Sequence, residues 1–256
     1  MNVAELKKQR TLLKEVSYKW APIDKGYNDR TLYINLDDNR IEEKKVSPMM
    51  KEKFIGGRGY GLKMLWDATK PDTKWNDPEN EIIIAGGPIC GITQYSGTGK
   101  SLVVSISPQT NSVMDSNVGG FFGPFSKFCG FDAVEIQGKA DREIIIVIDK
   151  TTETIRIEEA PAEAIDSHVL AEQLTEMYAN DDKDKKNVAV VSAGTAADHS
   201  LIGMLNFSFY DPKRKLVRLK QAGRGGIGTV FRDKKIKAIV AKIDGIVNDM
   251  EDASIT

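Results

Sequence analysis

The chain has 256 residues, of which 36 are basic and 37 acidic, for a formal net charge of −1; no global field draws it to nucleic acid or an anionic membrane, and any anion site must be local. No apolar run approaches the roughly 18–20 residues of a bilayer span, and the opening MNVAELKKQRTLLKEVSYKW is too charged for a secretory signal, so a cytoplasmic protein with neither nucleic-acid nor membrane partners is expected. Two cysteines, Cys90 and Cys129, and two histidines, His168 and His199, are too few for a disulfide framework or a four-cysteine iron–sulfur cluster and lack the spacing of a closed zinc site.

Residues 1–28 read as a basic, helix-prone arm (AELKKQRTLLKEV) with too few apolar positions for firm burial. The alternation of TLYINLD from Thr31, the turn residues Asp37, Asp38 and Asn39, and the continuation RIEEKKV predict a hairpin. Helices are expected after Ser47-Pro48 and from Gly61 to Ala68. Strand-like, β-branched runs follow at 81–87, 100–107, 132–138, 143–149 and 154–160, and again at 187–194, 201–209 and 236–243. Between them lie a helical stretch from Phe121 to Cys129, closed by Gly130, and a clearer one from Ser167 to Ala179. The charged stretch 180–186 reads as a surface loop and 244–256 as an acidic tail. Strands outnumber helices without alternating strictly with them, which predicts an α+β fold rich in antiparallel sheet.

Four glycine-rich segments stand out: GGRGYG (56–61), SGTGKS (96–101), NVGGFFG (117–123) and AGRGGIG (222–228). Glycine lets backbone N–H groups approach a ligand closely, and three of these loops carry or adjoin a cation, Arg58, Lys100, or Arg224 with Lys220 upstream, as phosphate recognition requires. GTGKS is not a Walker A loop, because the first glycine of GxxxxGK[ST] falls on Gln94. GRGGIG has the wrong spacing for a dinucleotide fingerprint. No GxSxG, Cys-His pair or HExxH is present. Asp115 is a general-base candidate set against a plain reading as a solvated turn carboxylate, and FFGPFSKF (121–128) reads equally as a contact segment or a core helix.

The segments FIGGRGYGLKMLW (54–66), NEIIIAGGPICGI (80–92), SLVVSISPQTN (101–111), NVGGFFGPFSKFCGFDAVEIQGKA (117–140) and AGRGGIGTVFRDKKIKAIVA (222–241) resemble, in order and spacing, the N-terminal domain of the aldehyde ferredoxin oxidoreductase family. The resemblance covers residues 29–243. It implies two β-sheets forming a base for a tungsten or molybdenum bis-pterin whose metal is held by the pterin dithiolenes. It further implies contact with that cofactor at Arg58, Lys100, Asn117, Val118, Gly119, Gly120, Lys220, Gln221, Gly223, Arg224, Gly225 and Gly226. The backbone oxygens of Asn117 and Gln221 would face a bridging magnesium ion. Lys100 and Lys220 stand where the family has phosphate-facing arginines, so point charges replace bidentate contacts there. The family's 4Fe–4S cysteines and acid–base residues lie in further helical domains. The implied function is therefore the cofactor-binding subunit or fragment of an oxidoreductase acting on aldehydes or a related low-potential substrate. It would be inactive alone, needing a partner chain with the cluster and a ferredoxin or equivalent electron acceptor. The alternative is a non-catalytic structural module or a degenerate relic of such an enzyme.

Overall fold

Isoleucine and valine dominate the interior strands, as expected for a pleated surface buried on both faces. The computed structural model describes residues 3–8, 10–161 and 166–247. In chain order these form α1 (Val3–Lys8), β1 (Leu12–Ser17), β2 (Arg30–Asn35), β3 (Arg40–Lys45), α2 (Pro48–Phe54), α3 (Arg58–Ala68), β4 (Ile82–Ala85) and β5 (Ser101–Ile106). Next come β6 (Val113–Val118), α4 (Phe122–Phe128), β7 (Ala133–Gln137), β8 (Ile144–Asp149), β9 (Thr154–Glu159) and α5 (Ser167–Tyr178). The series ends with β10 (Val188–Ser192), β11 (Leu205–Asp211), β12 (Leu216–Ala222), α6 (Ile227–Asp233) and β13 (Ile236–Lys242).

The strands make two sheets, in the order β1-β9-β8-β13-β10-β11-β12 and β3-β2-β7-β4-β5-β6. The described pairs are antiparallel except β2–β7 and β8–β13, so the fold is α+β with antiparallel-rich sheets. Leu32, Ile34, Ile82, Ile84, Val103 and Ile136 of the six-stranded sheet share one core with Ile144, Ile146, Ile148, Ile155 and Ile239 of the seven-stranded sheet. Phe122, Phe125 and Phe128 of α4 and Val230 and Phe231 of α6 complete that core. Helix α3 covers the other face of the six-stranded sheet through Tyr60 and Leu65. On the outer face of the seven-stranded sheet, Leu170 and Leu174 of α5 and Leu6 of α1 pack against Ile145 and Val190.

Two helix starts follow from their caps. Ser47 Oγ accepts from Met50 N at 3.1 Å with Pro48 at the first turn, and Asp166 Oδ1 accepts from His168 N at 2.7 Å.

The arm is not the peripheral helix expected: among its described residues helix occupies Val3–Lys8, while Leu12–Ser17 is an edge strand paired with β9. Leu6 is buried among Leu170, Leu174 and Val190 and Tyr18 against Phe131, while the Leu12–Ser17 segment satisfies backbone groups that the β9 edge would otherwise leave unpaired. Of the acidic tail, residues 248–256 lie outside the described residues. All seven residues of α4 are buried, so FFGPFSKF is a core helix, with only Phe121 exposed at its start.

Glu81 is an exception inside this apolar frame. It is 2% exposed, and burial pushes its carboxyl up to about 8, helped by nearby Glu135.

Two predictions follow from this packing. Phe207 sits edge-on to Phe122 with ring centroids 6.0 Å apart; Phe207→Ala should destabilise by about 3–5 kcal/mol in urea unfolding. The native state holds the Glu81 proton more tightly than the unfolded chain, so that group's stabilisation is full below its ordinary value of 4.5 and is lost as pH rises through about 8. Glu81→Gln should therefore gain stability relative to the parent across that interval, seen as a rising difference in urea midpoints.

Candidate functional site

Strand β6 is the edge of one sheet and β12 the edge of the other, and the glycine loops meet where these two edges come together. Period-two alternation turns Val118 into the core, 1% exposed, and leaves Asn117 exposed. The register Ser101↔Val118 makes Lys100 and Gly119 the next residues along β5 and β6. Gly120 has φ +92°, and a Cβ there would lie 3.0 Å from the Phe207 carbonyl oxygen. The chain can therefore turn against β11 only without a side chain. Phe121 N then donates to Ser208 O at 3.1 Å, fastening the loop to the other sheet.

From the opposite side, β12 brings Lys220 and Gln221, paired in register with Phe207 and Asn206. Lys220 Cγ would lie 3.6 Å from a Cβ on Gly119. Beyond β12, Arg224 N donates to Ser116 Oγ at 3.2 Å. Gly226, with φ +66°, opens α6 at a position where a Cβ would stand 2.1 Å from Leu201 O. Gly223 has nothing within 4 Å of such a Cβ.

Arg58, Lys100, Asn117, Lys220, Gln221, Gly223 and Arg224 are exposed on this face, whereas Val118, Gly225 and Gly226 are buried behind it. These last three can shape the backbone of a site without presenting a side chain to a ligand. Arg58 joins the face from the first turn of α3, its Nη2 donating to Asp115 Oδ2 at 2.8 Å. Asp115 thus lies within β6 and is ion-paired, so it is no turn residue. Neither this pair nor the Ser116 contact is readable from spacing, since 57 and 108 residues separate the partners.

Among the described residues no carboxylate pairs with Lys100, Lys220 or Arg224. Three cations without a carboxylate partner beside glycine-exposed backbone have the charge and donor chemistry that a phosphate group requires. Two edge strands add to it, since each leaves outward carbonyl groups that the ladder does not use. Neither cysteine can serve as a soft metal ligand at this face: Cys90 and Cys129 are buried, and burial pushes the Cys90 thiol up to about 11. The residues fit a phosphate-bearing group that brings its own metal ligands. An apolar cavity of about 630 Å³, lined by Gly99, Phe121, Phe125 and Tyr210, adjoins Lys100 through Gly99.

The model of the aldehyde ferredoxin oxidoreductase N-terminal domain matches residues 31–243. Tungsten-containing aldehyde ferredoxin oxidoreductase of Pyrococcus horikoshii is 32% identical over 219 residues, 85% of this chain and 33% of the relative. An aliphatic sulfonate oxidoreductase, WOR-like subunit, of Pyrococcus furiosus is 29% identical over 89% of this chain and 36% of its own length. Among solved structures, the active-site complex BamBC of benzoyl coenzyme A reductase, in complex with 1,5-dienoyl-CoA, superposes with a TM-score of 0.73. It has 26% identity and covers 87% of this chain and 32% of its own. The chain thus spans about a third of the length of these relatives. No helix among the described residues is long and apolar enough to cross a membrane.

The glycine geometry separates folding from binding. Gly226→Ala, meeting Leu201 O in a left-handed conformation, should lower the urea midpoint clearly, whereas Gly223→Ala should leave stability within about 0.5 kcal/mol.

Proposed function

Because this chain belongs to the aldehyde ferredoxin oxidoreductase family through that family's N-terminal domain, we propose that it is the cofactor-seating part of a tungsten- or molybdenum-pterin oxidoreductase. The observation that carries this reading is the convergence of the NVGG and AGRGG loops on one face with three unpaired cations. When bound, the metal–dithiolene group supplies low-potential redox chemistry.

The chain's own residues bind and orient. Lys100, Lys220 and Arg224 neutralise pterin phosphates, and Arg58, already held by Asp115, sets the charge at the α3 end of the face. The backbone oxygens of Asn117 and Gln221 would hold a magnesium ion, which would offset phosphate charge. Lysine offers a compact charge without a planar fork, so phosphate orientation depends more on the loop backbone and on Arg224.

No catalytic acid or base is assigned to this chain. Acid–base residues and a 4Fe–4S cluster belong to a further domain or partner chain, in keeping with the third of the relatives' length that is spanned here. Substrates are aldehydes or related low-potential compounds, the electron acceptor is ferredoxin or an equivalent carrier, and the setting is the cytoplasm.

Removing both lysines tests the seat. In the Lys100→Ala, Lys220→Ala double variant, tungsten or molybdenum retained per chain should fall several-fold while the urea midpoint stays within about 0.5 kcal/mol of the parent, as expected for exposed sites. Unchanged metal content would overturn the assignment of both residues.

A further inference from the structure

At the opposite edge of the six-stranded sheet from β6 lies a second cavity, of about 510 Å³, which the cofactor reading leaves unused. Its walls come from β2, β3 and β7 on one side and α2 and α3 on the other. Glu81, immediately before β4, lines it. That side chain is 2% exposed, and its Oε2 is buried without a hydrogen-bond partner. An unmatched buried carboxyl is costly, and most buried polar groups in folded proteins are satisfied.

The other charges in the wall are already paired or are exposed to solvent. Glu135 accepts from Thr31 Oγ1 at 2.5 Å and from Lys44 Nζ at 2.9 Å. Glu42 lies 3.5 Å from Arg40, and Asp67 is paired with Lys63. Lys45 is exposed, and Lys234, near enough to influence Glu81 electrostatically, donates to Gly138 O at 2.9 Å. Glu81 is thus the acceptor left for a ligand.

A single water would satisfy the carboxyl, yet the cavity is far larger than the roughly 30 Å³ a water occupies. Val46, Met50, Met64 and Ala68 give it an apolar flank suited to methylene groups. Lys44 shows what head group this environment accepts: its Nζ rests 3.6 Å from the Tyr33 ring centroid while bonded to Glu135.

We propose that this cavity binds a small primary alkylammonium compound, with Glu81 as the counter-ion and the Val46–Met50–Met64 flank around the alkyl body. The site is independent of the pterin reading, since it shares no residue with the β6–β12 face. Burial raises Glu81 to about 8, so near neutral pH ammonium binding displaces the carboxyl proton to solvent and leaves a carboxylate–ammonium pair.

Isothermal titration of the full chain with n-butylamine and with 1,4-diaminobutane, using 1-butanol and butyrate as neutral and anionic isosteres, tests this. The amines should bind saturably at one site, with heats that vary with buffer ionisation enthalpy because a proton is released; the isosteres should not bind. Glu81→Gln should weaken amine binding by at least about tenfold and abolish proton release. Ala68→Phe, which keeps Glu81 and fills the cavity, should also block binding. No saturable amine binding to the parent chain, or equal binding by the folded Glu81→Gln variant, would overturn the proposal.

Discussion

The meeting of two sheet edges, β6 and β12, is the constraint on which the candidate site depends. Edge strands carry unpaired backbone groups and are a hazard unless covered or put to use. Here Arg224 N, just past β12, donates to Ser116 Oγ of β6, and Phe121 N, just past β6, donates to Ser208 O of β11, the neighbour of β12. Gly120 and Gly225 remove the side chains that would keep them apart: Cβ atoms there would meet Phe207 and Met114. The same approach that seals the core at Phe122 and Phe207 presents backbone and cations outward. A sealed core and an outward face of backbone and cations are therefore two consequences of one arrangement.

Much of this was legible in the sequence wherever a local pattern decides the outcome. The Ile and Val runs from β4 to β13, the Ser47-Pro48 start of α2 and the Asp166-capped α5 follow from burial period and capping chemistry. The edge strands were harder. Val113–Val118 and Leu216–Ala222 are mixed in polarity, because an edge is half solvated, and neither was expected. Leu12–Ser17 read as helix because LLKEV suits either state, and pairing with β9 decides it. Helix α6 was missed for a similar reason: Gly228, Thr229 and Val230 are weak helix formers, stabilised there by burial in the core.

At the site, the glycine loops and their cations were visible, and their convergence from four separate segments was not. The Arg58–Asp115 pair changes the local electrostatics, since one of the four expected cations arrives already neutralised. Glu81 was read only as part of a strand-like run; that its carboxyl lacks a partner is a property of tertiary packing alone. Both facts depend on contacts between elements, which no spacing rule encodes.

We propose that the β6–β12 face seats a metal-bearing pterin. Elemental analysis for tungsten, molybdenum, magnesium and iron, on protein purified without oxygen from its native host together with any co-purifying chain, addresses it most directly. Near-stoichiometric tungsten or molybdenum, with iron only in the presence of a cluster-bearing partner or domain, is the result predicted. Protein isolated intact with neither tungsten nor molybdenum would contradict it.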